Sequence, residues 1–262
     1  MPITSTTLDC SPLLTDNEIE ILDEQLLAVY IGNIILGDYF HIQQILNSRP
    51  TAPPTWPDRI IEHAIGKLNS LARDKRDGWI FQIISWLTLF QENLGNDYHC
   101  QQPHDAAAQH GIDGLAIIFD DQLRIKTIVI SEDKCSENPR VVIPEVWEEF
   151  AKYESGENDN KLVSRISAMI SHLDSGRIFT ANRNDIYRTE IRRYRLSINR
   201  NSTYNGMMKR KKLFKGYDEP IPDADCERRT GATLFSDDIR GWMDHMAQLV
   251  INYLDSQKTG NV

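Results

Sequence analysis

Gly111-Ile112-Asp113-Gly114 opens onto the apolar run Leu115-Ala116-Ile117-Ile118-Phe119. The polar tip Asp120-Asp121-Gln122 follows, and a second β-rich run from Leu123 to Ser131 ends in Glu132-Asp133-Lys134. Two such runs around a short polar turn make a β-hairpin. Alternate side chains of a strand share a face, so Glu132 and Lys134 point one way and Asp133 the other. Pairing about a tip near Asp121 brings Asp113 and Glu132 to the open end of adjacent strands. Two carboxylates and a lysine then converge, a set suited to metal-assisted phosphodiester hydrolysis. Hard oxygen ligands hold a Mg²⁺ that keeps several of its waters. The metal acidifies one water and stabilises charge on the phosphate. A lysine beside it orients or helps deprotonate that water and faces the developing charge.

Outward from this hairpin, the first hundred residues read as helical. Thr15 with Glu18 three residues later has the form of a capping box, and Ile19, Leu22, Leu26, Leu27, Tyr30 and Ile34 follow at helical spacing. The proline-rich stretch Pro50 to Pro57 is a rigid connector to a helix from Asp58 to about Leu71. A third helix is expected from Asp77 to Asn93, with Trp79, Ile83, Trp86, Leu87 and Phe90 on one apolar stripe that reads as core. Beyond the hairpin, helical pattern returns at Pro144–Tyr153 and at about 158–173. Residues 186–199 look like a strand carrying arginines, and Ser236 or Asp237 could cap a last helix through about Leu254. The expected fold is α/β (α+β), with a helical N-terminal region over residues 1–76 and a core over residues 77–262.

The chain has 262 residues, of which 40% are hydrophobic and 26% charged, enough to bury a core without staples. No apolar stretch reaches membrane-spanning length and no leader-like segment opens the chain, so a cytoplasmic protein without a membrane partner is expected. Cys10, Cys100, Cys135 and Cys226 are scattered thiols with no spacing for a zinc cage or a disulfide framework.

The net charge is −9, but it is unevenly spread. From Ile186 to Lys215 there are ten basic residues and one acid, a local +9, so the remainder carries −18. Arg192, Arg193, Arg195, Lys209, Arg210, Lys211 and Lys212 are therefore candidate nucleic-acid contacts, with a solvated basic face as the plainer alternative.

The glycine-flanked Asp113, the step of 19 residues to Glu132 and the lysine two further on resemble the PD-(D/E)xK nuclease superfamily. The resemblance spans Gly78 to about Phe150. It implies a restriction-endonuclease-like mixed sheet with flanking helices and Mg²⁺-dependent cleavage of DNA, or of RNA, with Mn²⁺ expected to substitute. Asp113 and Glu132 take the metal-ligand places and Lys134 the catalytic lysine. Gln82 stands where the preceding helix often supplies a further acid, and Ile112 replaces the proline of the name. The chain is similar to nucleases of bacterial anti-phage defence, including the nuclease component of Hachiman-like systems. No Gly-x-x-x-x-Gly-Lys-Ser/Thr loop occurs, so a helicase, ATPase or sensor would be a separate chain.

Other residues carry weaker expectations. Arg140 could clamp a phosphate or make a helix-entry salt bridge. His99, His104 and His110 flank the approach to Asp113 and could touch a phosphate, with solvated loop histidines as the plainer reading. Cys135 reads as a buried thiol, and Glu145 and Glu148 as exposed. Two rival readings are a non-catalytic nucleic-acid-binding module on a nuclease-like fold and a regulatory partner subunit.

Overall fold

The computed structural model describes residues 1–52, 54–107, 111–171, 183–222 and 226–258. His110, Pro53 within the connector, and the expected end of the 158–173 helix lie outside them.

Seven strands form one mixed sheet in the order β1-β2-β7-β6-β5-β4-β3. They are β1 (Ile3–Cys10), β2 (Leu14–Ile21), β3 (Tyr98–Cys100), β4 (Gly114–Phe119), β5 (Ile125–Lys134), β6 (Arg192–Arg200) and β7 (Arg229–Phe235). The central strands β2, β7, β6 and β5 are parallel, while β1 and the β5-β4-β3 edge pair antiparallel. Nine helices are described: α1 (Glu24–Ile35), α2 (Tyr39–Leu46), α3 (Asp58–Ser70), α4 (Arg73–Glu92), α5 (Pro139–Glu154), α6 (Asp159–Ile170), α7 (Arg183–Ile186), α8 (Met207–Leu213) and α9 (Ile239–Ser256). The chain is thus α+β, with helices on both faces of the sheet. Helices α1, α3, α4 and α9 pack over Ile3, Ile19, Ala232 and Leu234 on one face. Helices α5, α6 and α8 cover Leu115, Ile117, Ile130, Leu196 and Ile198 on the other.

The expected hairpin is present, with Ala116 opposite Val129 and Gly114 opposite Ser131. Its tip is fastened by Asp120, whose Oδ1 accepts from the amides of Gln122 and Arg124, each at 2.9 Å.

The helical reading of the N-terminus is corrected. Residues 3–21 are the β1–β2 hairpin, and the first helix is capped by Asp23, whose Oδ1 accepts from the Leu26 amide at 2.9 Å. Thr15 and Glu18 mimic a capping box, yet Ile19 and Ile21 continue at a period of two. The run Ile3-Thr4-Ser5-Thr6-Thr7 before them is rich in β-branched residues that favour a pleated surface. Because β2 pairs with β7 in parallel, the first 76 residues supply two strands of the common sheet. The expected arginine-bearing strand is likewise later and shorter, β6 beginning at Arg192 after the single turn of α7 and a 3₁₀ turn at Thr189–Ile191. The last helix is capped by Asp238, whose carboxylate accepts from the Gly241 amide at 2.8 Å, while Asp237 accepts from the Ser202 amide instead.

Candidate active site

The β4–β5 register builds the acidic corner. Gly114 is the last residue paired, opposite Ser131, so Asp113 stands opposite Glu132 at the mouth of the hairpin. Gly114 is needed for this closeness, since a Cβ there would lie 3.0 Å from the Ser131 Cβ. Lys134 shares Glu132's face as the alternation requires, its Nζ 3.2 Å from Glu132 Oε2. Burial, then the Asp113 charge, raises Glu132 well above the ordinary carboxylate range. Burial alone would lower Lys134, but Glu132 and then Asp113 outweigh it and hold the ammonium above its usual value. Tyr153 of α5 belongs to the same surroundings: its phenol is pushed up by burial, then by Glu149 and Glu132.

Helix α4 is the spine of the site. Gln82 donates from Nε2 to the Asp113 carbonyl at 3.2 Å and to its Oδ1 at 3.1 Å, so the place expected for an acid is filled by an amide that orients one. The same nitrogen lies 3.2 Å from His104 Nδ1. One turn on, the Ser85 hydroxyl donates to Asp133 Oδ1 at 2.6 Å. Asp133 does point away from Glu132 and Lys134, but it is not idle. Its amide donates to Asp113 Oδ2 at 3.0 Å, and its carboxylate also accepts from Ser131. Burial, then Asp113, raises its pKa, opposed by Arg195.

Trp79 and Trp86, read from the sequence as core alone, are buried and also act as clips. Their indole N–H groups donate to the carbonyls of His104 at 2.8 Å and Gln101 at 2.9 Å, pinning the loop before Asp113 along α4. His104 is consequently buried, not solvated as its loop position suggested, and burial lowers its pKa. The sequence signal for this was the spacing of Trp79, Gln82 and Trp86 on one side of a helix, two polar-tipped indoles bracketing an amide. Arg165 of α6 is a further neighbour that sequence reasoning missed. Its Nη2 would come within 3.0 Å of a Cβ on Gly111.

The remaining candidates lie elsewhere. Arg140 donates to the Leu213 carbonyl at 3.2 Å, a structural bond across to α8 in place of a phosphate clamp. His99 packs edge to face on Phe119. Cys135 packs against the α4 core and burial pushes its thiol up to about 12, which suits a filler and not a nucleophile. Glu145 and Glu148 are exposed, as expected.

Most of the basic segment is turned inward, and the expectation of a phosphate-binding surface there is corrected. Arg192 is fully buried, donating to Asp159 Oδ1 at 2.8 Å and the Ile186 carbonyl at 2.9 Å. Arg195, 1% exposed, donates to Ser85 at 2.7 Å and Ser131 at 3.2 Å, with Glu92 at 3.3 Å. Arg210 is buried against Asp16 and Glu18, each at 2.6 Å, and Arg200 pairs with Glu18. Lys211 donates to the Ser11 carbonyl, and Arg193 is half-buried. Of the seven candidates, Lys209 and Lys212 remain fully exposed. A guanidinium in the interior needs fixed acceptors. These arginines find some in carboxylates, carbonyls and hydroxyls, while Arg192 Nε, Arg195 Nη2 and Arg200 Nη1 are buried without a hydrogen-bond partner among the described residues.

Among the described residues, no group of three or more His, Cys, Asp or Glu side chains forms a ready-made metal cage. The donor set nonetheless fits Mg²⁺, which is commonly held by one or two carboxylates with water and substrate phosphate completing its shell. Asp113 and Glu132 stand opposite each other, with Lys134 ion-paired to Glu132. No family model, curated protein or solved structure matches the chain.

Proposed function

We propose that the protein is a Mg²⁺-dependent nuclease of the PD-(D/E)xK kind, on a restriction-endonuclease-like core, cleaving DNA, with RNA as the alternative polymer. The observation that carries this is the register: Asp113 opposite Glu132, with Lys134 on Glu132's face. Asp113 and Glu132 would hold the ion, and Mn²⁺ has the same oxygen preference. A bound divalent ion supplies an acidified water and neutralises charge on the phosphate. The chain's own residues do the rest. Gln82 and the Asp133 amide fix both oxygens of Asp113, so that carboxylate needs no reorganisation. Lys134 stays protonated beside Glu132, which favours its acting as a fixed positive charge toward the developing oxyanion over its acting as a base. Ser85, Ser131 and Arg195 hold the back of the corner through Asp133.

A role in bacterial anti-phage defence, in the cytoplasm beside a separate helicase or sensor chain, is the setting this reading favours. Loss of most of the supposed basic surface weighs against the rival of a pure nucleic-acid-binding module. The test is incubation of purified protein with plasmid, single-stranded DNA and RNA, with Mg²⁺, Mn²⁺ or EDTA. Cleavage of at least one polymer with either ion and none with EDTA is expected. No cleavage of any substrate, or cleavage that persists in EDTA, would overturn the assignment.

A further inference from the structure

Two hydrogen-bond donors converge beside Asp113 with no acceptor between them among the described residues. The Gln82 amide faces the carbonyl and the carboxylate of Asp113, so its NH₂ end is the end turned into the site. The same NH₂ meets His104 Nδ1, which must therefore present a lone pair, leaving the ring proton on Nε2. That Nε2 is buried without a hydrogen-bond partner on a side chain 6% exposed. A weak backbone hydrogen bond with Ile112 favours the protonated ring, but Nε2 makes none of normal geometry. A buried donor left unpaired costs about 1–3 kcal/mol, so a natural site holding one has a reason for it.

The second donor is Arg165. Its guanidinium approaches the same point: the position a Cβ would take on Gly111 is 3.0 Å from Arg165 Nη2 and 4.0 Å from His104 Nε2. Gly111 has φ +146°, a conformation side-chain-bearing residues rarely adopt, so the point stays empty. Arg165 is exposed on α6 and has no ion-pair partner among the described residues. It also lines a cavity of about 750 Å³ along the β3 edge, with Tyr39, Phe40, Arg49 and Tyr98, so one side chain is shared between the point and a partly aromatic cleft. A guanidinium and an imidazole N–H aimed at one empty point call for an anionic oxygen.

We propose that His104 Nε2, Arg165 and the bare face of Gly111 form a phosphoryl-oxygen pocket that seats a phosphate of a single polynucleotide strand beside Asp113. The pocket rests on the nuclease reading for its place in a reaction, though not for its binding chemistry. The cleft adds what strand binding needs, cations for phosphates and aromatic faces for bases. Its size is that of a small-ligand site, in the range of about 300–1,000 Å³, which admits a nucleotide or two and excludes a duplex.

The test uses full-length, metal-free protein titrated calorimetrically with inorganic phosphate, 5′-phosphorylated dithymidylate and 5′-phosphorylated diuridylate. Both dinucleotides should bind more tightly than phosphate, and their ratio separates a DNA from an RNA strand. Arg165→Ala lies on an exposed helix face and should fold normally, weakening dinucleotide binding by at least about tenfold. Gly111→Ala should do the same by filling the point. His104→Gln, which keeps a donor near Nε2, should retain more affinity than His104→Ala. In the wild type, saturation with dinucleotide should shift the ¹⁵N resonance of His104 Nε2, whereas Lys75→Ser, at an exposed position on α4, should leave affinity unchanged. Wild-type affinity in both Arg165→Ala and Gly111→Ala, no measurable binding to wild type, or an unmoved Nε2 resonance would overturn the pocket. Arg165-dependent binding with no cleavage of any polymer would sink the nuclease reading and leave the pocket standing. Glu132-dependent cleavage with KM unchanged in Arg165→Ala would do the reverse.

Discussion

Strands β5 and β6 run side by side in parallel, Ser131 opposite Arg195 and Glu132 opposite Leu196. Both carry charge, and the sheet uses it in opposite ways. On β5 the stretch Glu132-Asp133-Lys134 runs past the last pairing with β4 while still pairing with β6, and there Glu132 and Lys134 meet Asp113. On β6, which lies between β5 and β7, Arg192, Arg195 and Arg200 are buried and Arg193 half-buried, so the buried ones must be answered from inside. A charge at the hairpin mouth meets a facing carboxylate, while a charge on the central strand becomes part of the frame. The two are coupled through Asp133, whose amide fixes Asp113 and whose carboxylate lies 3.9 Å from Arg195.

The comparison is broken most sharply at the β5 end. Glu132→Gln and Lys134→Ala should each lower cleavage by at least about a hundredfold, the scale of losing one electrostatic stabiliser of the transition state. Both variants should melt within a few degrees of wild type. Cleavage rates at saturating substrate, beside thermal melts, decide it; wild-type rates from folded Lys134→Ala would remove the lysine from the chemistry.

On the frame side, Arg210→Ala should cost stability and not chemistry. Removing one partner of a buried ion pair costs about 3–5 kcal/mol, because Asp16 would be left buried and uncompensated. Double replacement with Asp16→Asn should recover part of that loss. Denaturant unfolding of both variants gives the figure. A loss below about 1 kcal/mol in Arg210→Ala would mean the side chain is solvated after all.

How much of this was legible beforehand follows from what each signal measures. The hairpin and the Asp113–Glu132–Lys134 corner were readable because strand alternation fixes direction and a short turn fixes register, both local properties. The inward turn of Arg192, Arg195 and Arg210 was not, since a count of charges cannot say which strand is central. That depended on the N-terminal hairpin joining β7, which an accidental Thr15/Glu18 pairing had disguised as helix. His104 was missed for the same reason. Its burial comes from Trp79 and Trp86, and which loop they would grip is a tertiary fact.

The corner and the frame should also differ in how they answer pH. Burial, then Asp113, raises both Glu132 and Asp133 in the folded protein. A folded-state pKa above the unfolded one means the native state holds its proton more tightly. That contribution is complete below the ordinary carboxylate range and is lost as pH rises through the raised values. The melting temperature of metal-free protein, measured relative to Glu132→Gln, should therefore fall between about pH 5 and about pH 8. Using the difference cancels His104, whose lowered pKa costs stability on the acid side. Mg²⁺ should offset the fall, because it binds the ionised carboxylates. A difference that is flat across the range would show Glu132 to be ordinary and solvated.

The smallest effect is expected where the basic segment does reach solvent. Lys209 and Lys212 are exposed on α8, whereas Arg210 between them is spoken for by Asp16 and Glu18. If a strand's phosphates pass α8, replacing both lysines with Ser should weaken binding equally for all sequences. Phosphate contacts carry no base information of their own. The log–log salt slope should flatten by no more than about two, close to one per contact. Stability should be unchanged, which separates this variant from Arg210→Ala although the residues are neighbours in sequence. Affinities at several salt concentrations for wild type and the double variant measure it. A flattening well beyond two would mean the buried arginines had been freed, and the division between corner and frame would have to be redrawn. An unchanged slope would leave these lysines as a solvated face and place the strand's electrostatic partners at Arg165 and Arg49 instead.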